Sequence, residues 1–454
     1  MCPTLQRSRS RSAFPAACVR EEYGGEVVEV AAMRLRCLDL FCGGGGLSQG
    51  LEEAGLVTTK WAVDLDKDAA ATMVTNRPGC CVWQEDAVEV LRAARAGGEL
   101  RGRRLPGREE VEVLCAGPPC QGFSGLNRYK DRDKARRKNC LLAVTMSFVE
   151  IFKPCYFILE NVAGLATHEG GHHLRRVLEV LDRLGYRTTH AVLQAGRFGV
   201  PQSRHRLLVV AALPHLPLPP LTAALHLHDL PTPTPGAFAL YRAVTKGDAF
   251  SDLPSISCNS SDVIHQYQTG PDTSYQQELR QGSRGGVRDH VTLAINPACM
   301  ARILAVPTDI STSPSGSKSQ RVQGESGGMK RKDGGVFRRL ALSGHSPTVL
   351  TRPRPAGRQG RVLHPLQHRT YSAREAARLQ GFPDSYRYTF FFETPLLRLM
   401  STTKQHIFPG AFPSAHRGLP RLCGSLQERY RQLGNAVPPP LARALARRIL
   451  TALS

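Results

Sequence analysis

Between Leu35 and about Leu213 the chain repeats one pattern: a short apolar run, a turn, then a stretch with helical spacing. LRCLDLF, WAVDL, CCVWQED, VEVLCAG, CYFILENV, HAVLQAG and RLLVVAA read as strands. LSQGLEEAG, NCLLAVTMSFVEIF and HHLRRVLEVLDRLG read as helices between them. Alternation of this kind predicts an α/β fold with a parallel, doubly wound, Rossmann-like sheet. Ligands of such a sheet bind outside the carboxyl ends of its strands. With 454 residues, 41% of them hydrophobic, the chain can bury a sizeable core.

The remaining stretches differ in composition. Residues 1–33 are polar, carry RSRSRS and have no acid before Glu21. They read as a disordered basic leader, with an organelle transit peptide as the alternative. Residues 34–213 form the first unit. Residues 214–370 are dense in proline, then rich in Ser, Gly and Lys/Arg over 305–335, and read as a second, smaller, irregular domain. Residues 371–454 return to regular structure. There SAREAARLQ has Ser372 as cap and Glu375 three residues on, and LARALARRILTAL follows a run of prolines.

Sixty Lys and Arg against 38 Asp and Glu leave a formal charge of +22, which points to a polyanionic partner, nucleic acid first. No apolar run has the length of a membrane span. The 13 cysteines lie at irregular intervals with no C-x-x-C pair and no zinc-finger spacing, so no metal is expected.

Four motifs carry chemistry. DLFCGGGGLSQG, residues 39–50, lets the backbone approach a ligand closely but lacks both the dinucleotide spacing and the Gly-Lys-Ser/Thr of a phosphate loop. Asp64 ends the next strand and could take the hydroxyls of a ribose, and Asp86 ends the third, placed to meet an adenine amino group. Glycines and acids without a pyrophosphate cradle suit an adenosine ligand, of which S-adenosylmethionine is the commonest. AGPPCQGFSG, residues 116–125, places Cys120 after two prolines at a strand end, a candidate nucleophile. FILENV puts Glu160 and Asn161 at another strand end, where a carboxyl group can exchange a proton with substrate. In PQSRHRLLVV, Arg204 and Arg206 alternate, so both guanidinium forks face one side.

PPCQGFSG, ENV, QSRHR, REAARLQGFPDSY and RQLGNAVPPPLARAL, in this order behind the glycine loop, resemble the blocks of DNA cytosine-5 methyltransferases. GPPCQGFSGLNR, VLQAGRFGV, VRDH and GRVLHPLQHR are similar to the catalytic domain of the eukaryotic maintenance-type enzymes. The resemblance implies a methyltransferase sheet that uses S-adenosylmethionine, a target-recognition domain over 214–370, double-stranded DNA as partner and a nuclear location, or an organelle if the leader is a transit peptide. It also implies roles for named residues. Cys120 would add to carbon 6 of a flipped-out cytosine. Glu160 would hold ring nitrogen 3 and the exocyclic amine. Arg206 would orient the base, and Arg204 would support the thiol loop. Phe41, Cys42, Gly46, Leu47, Asp64, Leu65 and Asp86 would bind the cofactor, with Asn435 and Val437 closing its pocket. The thiol loop continues as NRYKDRDKARRK, whose cations could clasp phosphates.

Three departures stand beside this match. The target-recognition segment is shortened and holds SPSGSKSQRVQGESGGMKRKDGG. Residues 391–422 interrupt the run from YRYTF to CGSLQERYRQLGNAV and read as an insertion. No regulatory module precedes residue 34, as expected of a catalytic domain alone or of part of a longer protein. Two alternatives share the scaffold: a transfer RNA cytosine-5 methyltransferase, and a nucleic-acid-binding protein without turnover. PPCQGFSG weighs against the first and the intact chemical residues against the second.

Overall fold

The computed structural model describes residues 34–119, 132–221, 241–258, 264–283, 286–308, 337–357, 361–388 and 425–454, with backbone alone for 132–139. The leader, the thiol loop with Cys120, the Ser/Gly/Lys segment and residues 391–422 lie outside the described residues.

All seven anticipated strands form one sheet. In chain order the strands are β1 (Leu35–Leu40), β2 (Val57–Asp64), β3 (Cys81–Gln84), a small hairpin of β4 (Glu99–Leu100) and β5 (Arg103–Arg104), then β6 (Val113–Ala116), β7 (Tyr156–Val162), β8 (Arg187–Gln194) and β9 (His205–Ala212). The spatial order is β3-β2-β1-β6-β7-β9-β8. One expectation needs correcting: the sheet is not parallel throughout. β9 runs antiparallel to both β7 and β8. The other strands are joined across helices: α1 (Gly46–Glu53), α2 (Lys67–Asn76), α3 (Ala87–Arg95), α4 (Arg132–Phe152), and α5 (Gly164–Thr167) with α6 (His172–Arg183). Between β8 and β9 only a single 3-10 turn, Ala195–Phe198, intervenes. That is too short for a crossover, so the chain returns as a hairpin.

Both faces of the sheet are covered, which is why β7 reads as the continuous apolar run YFIL. Phe157 and Leu159 of β7, with Leu207 and Val209 of β9, pack under α4 and α6 through Phe148, Phe152, Val177 and Leu181. Their neighbours Tyr156, Ile158, Leu208 and Val210 face the opposite layer. There Leu47 and Leu51 of α1 meet Leu441, Leu445 and Ile449 of the C-terminal helix Pro439–Leu453.

A third apolar cluster joins α7 (Lys246–Phe250) and α8 (Ser274–Arg280) to α10 (Ala373–Gln380), the helix Leu426–Asn435 and the short strand β11 (Arg361–Leu363), which pairs with β10 (Arg338–Arg339). The remaining helix here is α9 (Pro297–Leu304). Tyr371, Ala373 and Phe382 lie inside this cluster with Phe250 and Tyr275, so packing is continuous across residue 370. Ser372 and Glu375 form the capping box of α10. The helix is buried on every side, its charged residues included. Arg378 pairs with Asp252 and Asp384, and Arg369 makes two bonds of 2.8 and 2.7 Å to Glu375. Burial alone would raise the Glu375 carboxyl, but Arg369 and His364 outweigh it and hold it well below the usual carboxylate range. Among the described residues no helix is long and apolar enough to cross a membrane.

Candidate active site

The strand order reverses at β1, which has β2 on one side and β6 on the other. A cleft of about 360 Å³ opens at the carboxyl ends of the strands, where a doubly wound sheet places its ligands. Twelve of the thirteen sequence-predicted site residues line it: Glu160, Arg204, Arg206, Phe41, Cys42, Gly46, Leu47, Asp64, Leu65, Asp86, Asn435 and Val437. The thirteenth, Cys120, lies outside the described residues, directly after Pro118 and Pro119, which also line the cleft.

The glycine loop supplies one wall. Gly45 caps α1 in the left-handed conformation, φ +71°. Gly46 has no room for a side chain, because a Cβ there would sit 2.2 Å from the carbonyl oxygen of Val437. Asp64 pins this loop: its carboxylate accepts from the Gly43 N–H and the Asp66 N–H, each at 2.8 Å. Burial raises the Asp64 pKa, opposed by those two bonds. From outside, the Tyr386 hydroxyl donates to the Gly44 carbonyl at 2.6 Å. Arg77 donates to Tyr386 at 3.1 Å and to Glu52 at 2.7 Å.

Cys42 is buried, and burial followed by the charges of Asp64 and Asp39 pushes its thiol far up, so it serves as wall rather than nucleophile. Leu47 is buried, whereas Leu65 is 67% exposed at the rim. Asp86 lines the cleft and also caps α3, accepting from the Val88 N–H at 2.9 Å.

The opposite wall is polar. At the end of β7 the Glu160 carboxylate forms an ion pair with Arg206 Nε at 2.8 Å. Both side chains are largely shielded from solvent. The pairing follows from register, since β9 runs back along β7 with Val162 opposite Arg206. Asn161 Nδ2 donates to the Pro118 carbonyl at 3.2 Å, which ties the end of β7 to the start of the thiol loop. Arg204 is expected to support the thiol loop, which from Cys120 on lies outside the described residues. Its Nη2 donates to the carbonyls of Gly434 at 3.1 Å and Ala436 at 2.8 Å, on the far wall. It thereby carries the segment that includes Asn435 and Val437.

Sequence reasoning missed Asp39, Glu85 and Gln432, which also line the cleft. For Asp39 a signal existed: a carboxylate inside the apolar run LRCLDLF. It is 1% exposed, and burial pushes its pKa up to about 6 against a hydrogen bond with Ser48. A second hollow, of about 520 Å³, lies between α4 and α6, lined by Met146, Glu150, His173 and Val177 among others.

Comparison with known proteins agrees with this architecture. The family model described as C-5 cytosine-specific DNA methylase matches residues 35–405. The chain is 31% identical over 492 residues to a DNA (cytosine-5)-methyltransferase of Paracentrotus lividus, covering 92% of this chain and 28% of that protein. It is 32% identical over 489 residues to DNA (cytosine-5)-methyltransferase 1 of Mus musculus, covering 91% of this chain and 28% of that one. The chain therefore spans less than a third of these relatives' length. Among solved structures, one described as a DNA modification methyltransferase encoded within a prophage (E. coli) superposes with a TM-score of 0.60 at 21% identity. That match covers 92% of this chain and 99% of the other.

Proposed function

The chain belongs to the C-5 cytosine-specific DNA methylase family, and from that premise we propose that it methylates carbon 5 of cytosine in DNA with S-adenosylmethionine as methyl donor. The observation that carries this reading is the convergence of twelve anticipated residues on one cleft, with the Glu160–Arg206 pair facing the glycine loop.

The residues present fit the donor. Backbone at Gly43, Gly44 and Gly46 lets an adenosine lie close, Phe41, Leu47 and Val437 offer apolar contact, and Asp64 and Asp86 offer acceptors. Both Asp64 oxygens already accept one bond, and each retains a second acceptor position for a ribose hydroxyl. When bound, S-adenosylmethionine supplies an electrophilic methyl group.

The chain's own groups do the rest. Cys120, as thiolate, adds to carbon 6 of cytosine, and the displaced electron pair makes carbon 5 nucleophilic. Glu160 holds ring nitrogen 3 and the exocyclic amine, which stabilises the charge that addition creates. Arg206 keeps the Glu160 carboxylate oriented. After carbon 5 is methylated, loss of its proton and expulsion of the Cys120 thiolate restore the carbon 5–carbon 6 double bond. The ring is inaccessible inside a stacked duplex, so the base is flipped into the cleft at about a few kcal/mol. The +22 charge supplies the attraction for the phosphates that offsets this. A nuclear, maintenance-type role at CpG completes the proposal, resting on the motifs shared with maintenance-type catalytic domains.

The test offers unmethylated DNA, hemimethylated DNA and transfer RNA side by side, with labelled methyl donor. Hemimethylated DNA is expected to be labelled fastest. Labelling confined to transfer RNA, or none at all, would replace this reading. Cys120→Ser is expected to abolish turnover and covalent trapping on DNA containing 5-fluorocytosine. A serine variant that still forms the adduct would assign the nucleophile elsewhere.

A further inference from the structure

Just after β7 the chain reads His168-Glu169-Gly170-Gly171-His172-His173. None of these residues lines the cleft. The backbone turns sharply here: Glu169, Gly170 and Gly171 all have positive φ, at +51°, +63° and +80°. For glycine that is inexpensive, whereas for Glu169 it costs on the order of 1 kcal/mol and is rare. The turn folds α5 back on the start of α6, so that residues on either side of it meet.

Three side chains meet there. Glu169 Oε2 is 3.3 Å from His173 Nε2, and Glu169 Oε1 is 3.8 Å from His168 Nδ1. One donor atom from each of the three lies within 4.8 Å of the others. The His168 and His173 side chains are 27% and 21% exposed, and that of Glu169 is 62% exposed. A tetrahedral ion with bonds of about 2.0–2.1 Å needs donors roughly 3.3 Å apart. The Glu169–His173 separation already equals that value, and the Glu169–His168 separation exceeds it by 0.5 Å.

We propose that His168, Glu169 and His173 bind a divalent transition-metal ion, zinc in the first place. Two neutral imidazoles and one carboxylate form a nitrogen/oxygen set that zinc, cobalt(II) and nickel(II) accept and magnesium or calcium disfavour. Three protein ligands leave the fourth position to water. The ion joins the end of α5 to the first turn of α6, and His173 also borders the hollow between α4 and α6. The site is thus a clip on the segment that leaves the Glu160 strand. It does not depend on the reaction proposed above, because its readout is metal binding.

Tag-free, chelator-treated protein is titrated with zinc and, separately, with cobalt(II). The expected result is one equivalent bound per chain, a rise in Tm at saturating zinc, and a cobalt spectrum without a thiolate charge-transfer band. That last feature excludes binding by the cysteines. Glu169→Gln leaves the fold intact, because its side chain is exposed, and should weaken zinc binding by roughly tenfold or more, as loss of even an outer partner of a metal site does. His173→Gln and His168→Gln should abolish the equivalent and the Tm rise. No binding in the parent protein, a thiolate band, or unchanged affinity in the well-folded Glu169→Gln protein would overturn the proposal.

Discussion

Replacing Gly50 with alanine sets two effects against each other, and the structure decides between them. Gly50 lies in the middle of α1, where glycine is a poor helix former. In an exposed helix the change would stabilise by about 0.5–1 kcal/mol. Here a Cβ would lie 2.1 Å from the carbonyl oxygen of Pro439, 2.6 Å from the Ala442 Cβ and 2.7 Å from the Arg443 backbone nitrogen. Two of these are backbone atoms in the first two turns of the C-terminal helix, whose start Pro438, Pro439 and Pro440 stiffen. No side-chain rotation can clear them. Ordinary contact requires the two helices to part by more than an ångström. Overpacking costs typically 1–3 kcal/mol, and contacts this short belong near ~3 kcal/mol. The net expectation is a loss of about 2 kcal/mol. Because Pro439 follows Val437 closely, the same displacement widens the cleft beside Gly46, so S-adenosylmethionine binding should weaken as well. Gly79→Ala is the control, since its Cβ would meet nothing within 4 Å. Urea denaturation followed by far-ultraviolet circular dichroism, together with cofactor titration, measures both effects. A Gly50→Ala protein as stable as the parent would refute the reasoning.

Three further outcomes are expected. Asp39 has a folded pKa of about 6 against 3.8 for the free group, so its contribution to stability is full below pH 3.8 and is lost as pH rises through 6. Asp39→Asn should therefore be more stable than the parent above pH 6, by at most ~3 kcal/mol, an advantage that disappears near pH 4 in denaturation curves taken across pH. Glu375→Gln leaves Arg369 buried without its partner and should cost about 3–5 kcal/mol at neutral pH. Because the Glu375 carboxyl is held low, this deficit should shrink on acidification below its free value of 4.5, and a deficit constant with pH would count against the pair. Asp64→Ala removes the bond that pins Gly43 and should weaken cofactor binding by roughly 1.5–3 kcal/mol while DNA affinity without cofactor holds, as calorimetry and fluorescence anisotropy would report.

The strands were legible because each is a compact apolar run between turns, and a sheet covered on both faces requires such runs. The reversed direction of β9 was legible too, in the shortness of QAGRFGVPQSR, but alternation elsewhere masked it. The interior of α10 was not. AREAARLQ looks like a solvent-facing helix, and it is buried because Asp252 and Asp289 come from distant segments, and Asp384 from the turn just after it, to meet its arginines. Such pairing is set by tertiary approach and leaves no local period. The cleft was read through its motifs, since backbone approach demands glycine and chemistry demands Cys, Glu and Arg. Asp39, which opens the DLFCGGGGLSQG motif, escaped because it lies inside β1 ahead of the glycines, and Arg204's bonds to Gly434 and Ala436 escaped because they span 230 and 232 positions.

That long tether bears on how the protein is made. A nascent chain that has left the ribosome as far as α10 already holds every strand of the sheet, including Arg204 at the foot of β9. It still lacks the carbonyls of Gly434 and Ala436, the Val437 oxygen against Gly46, and the helix that covers α1. The outer cover of α1 on one face of the sheet and one wall of the cleft are missing until residues 425–454 emerge. A cleft with both walls in place therefore exists only once Pro439–Leu453 has docked, and until then Leu47 and Leu51 lack Leu441, Leu445 and Ile449 as apolar cover.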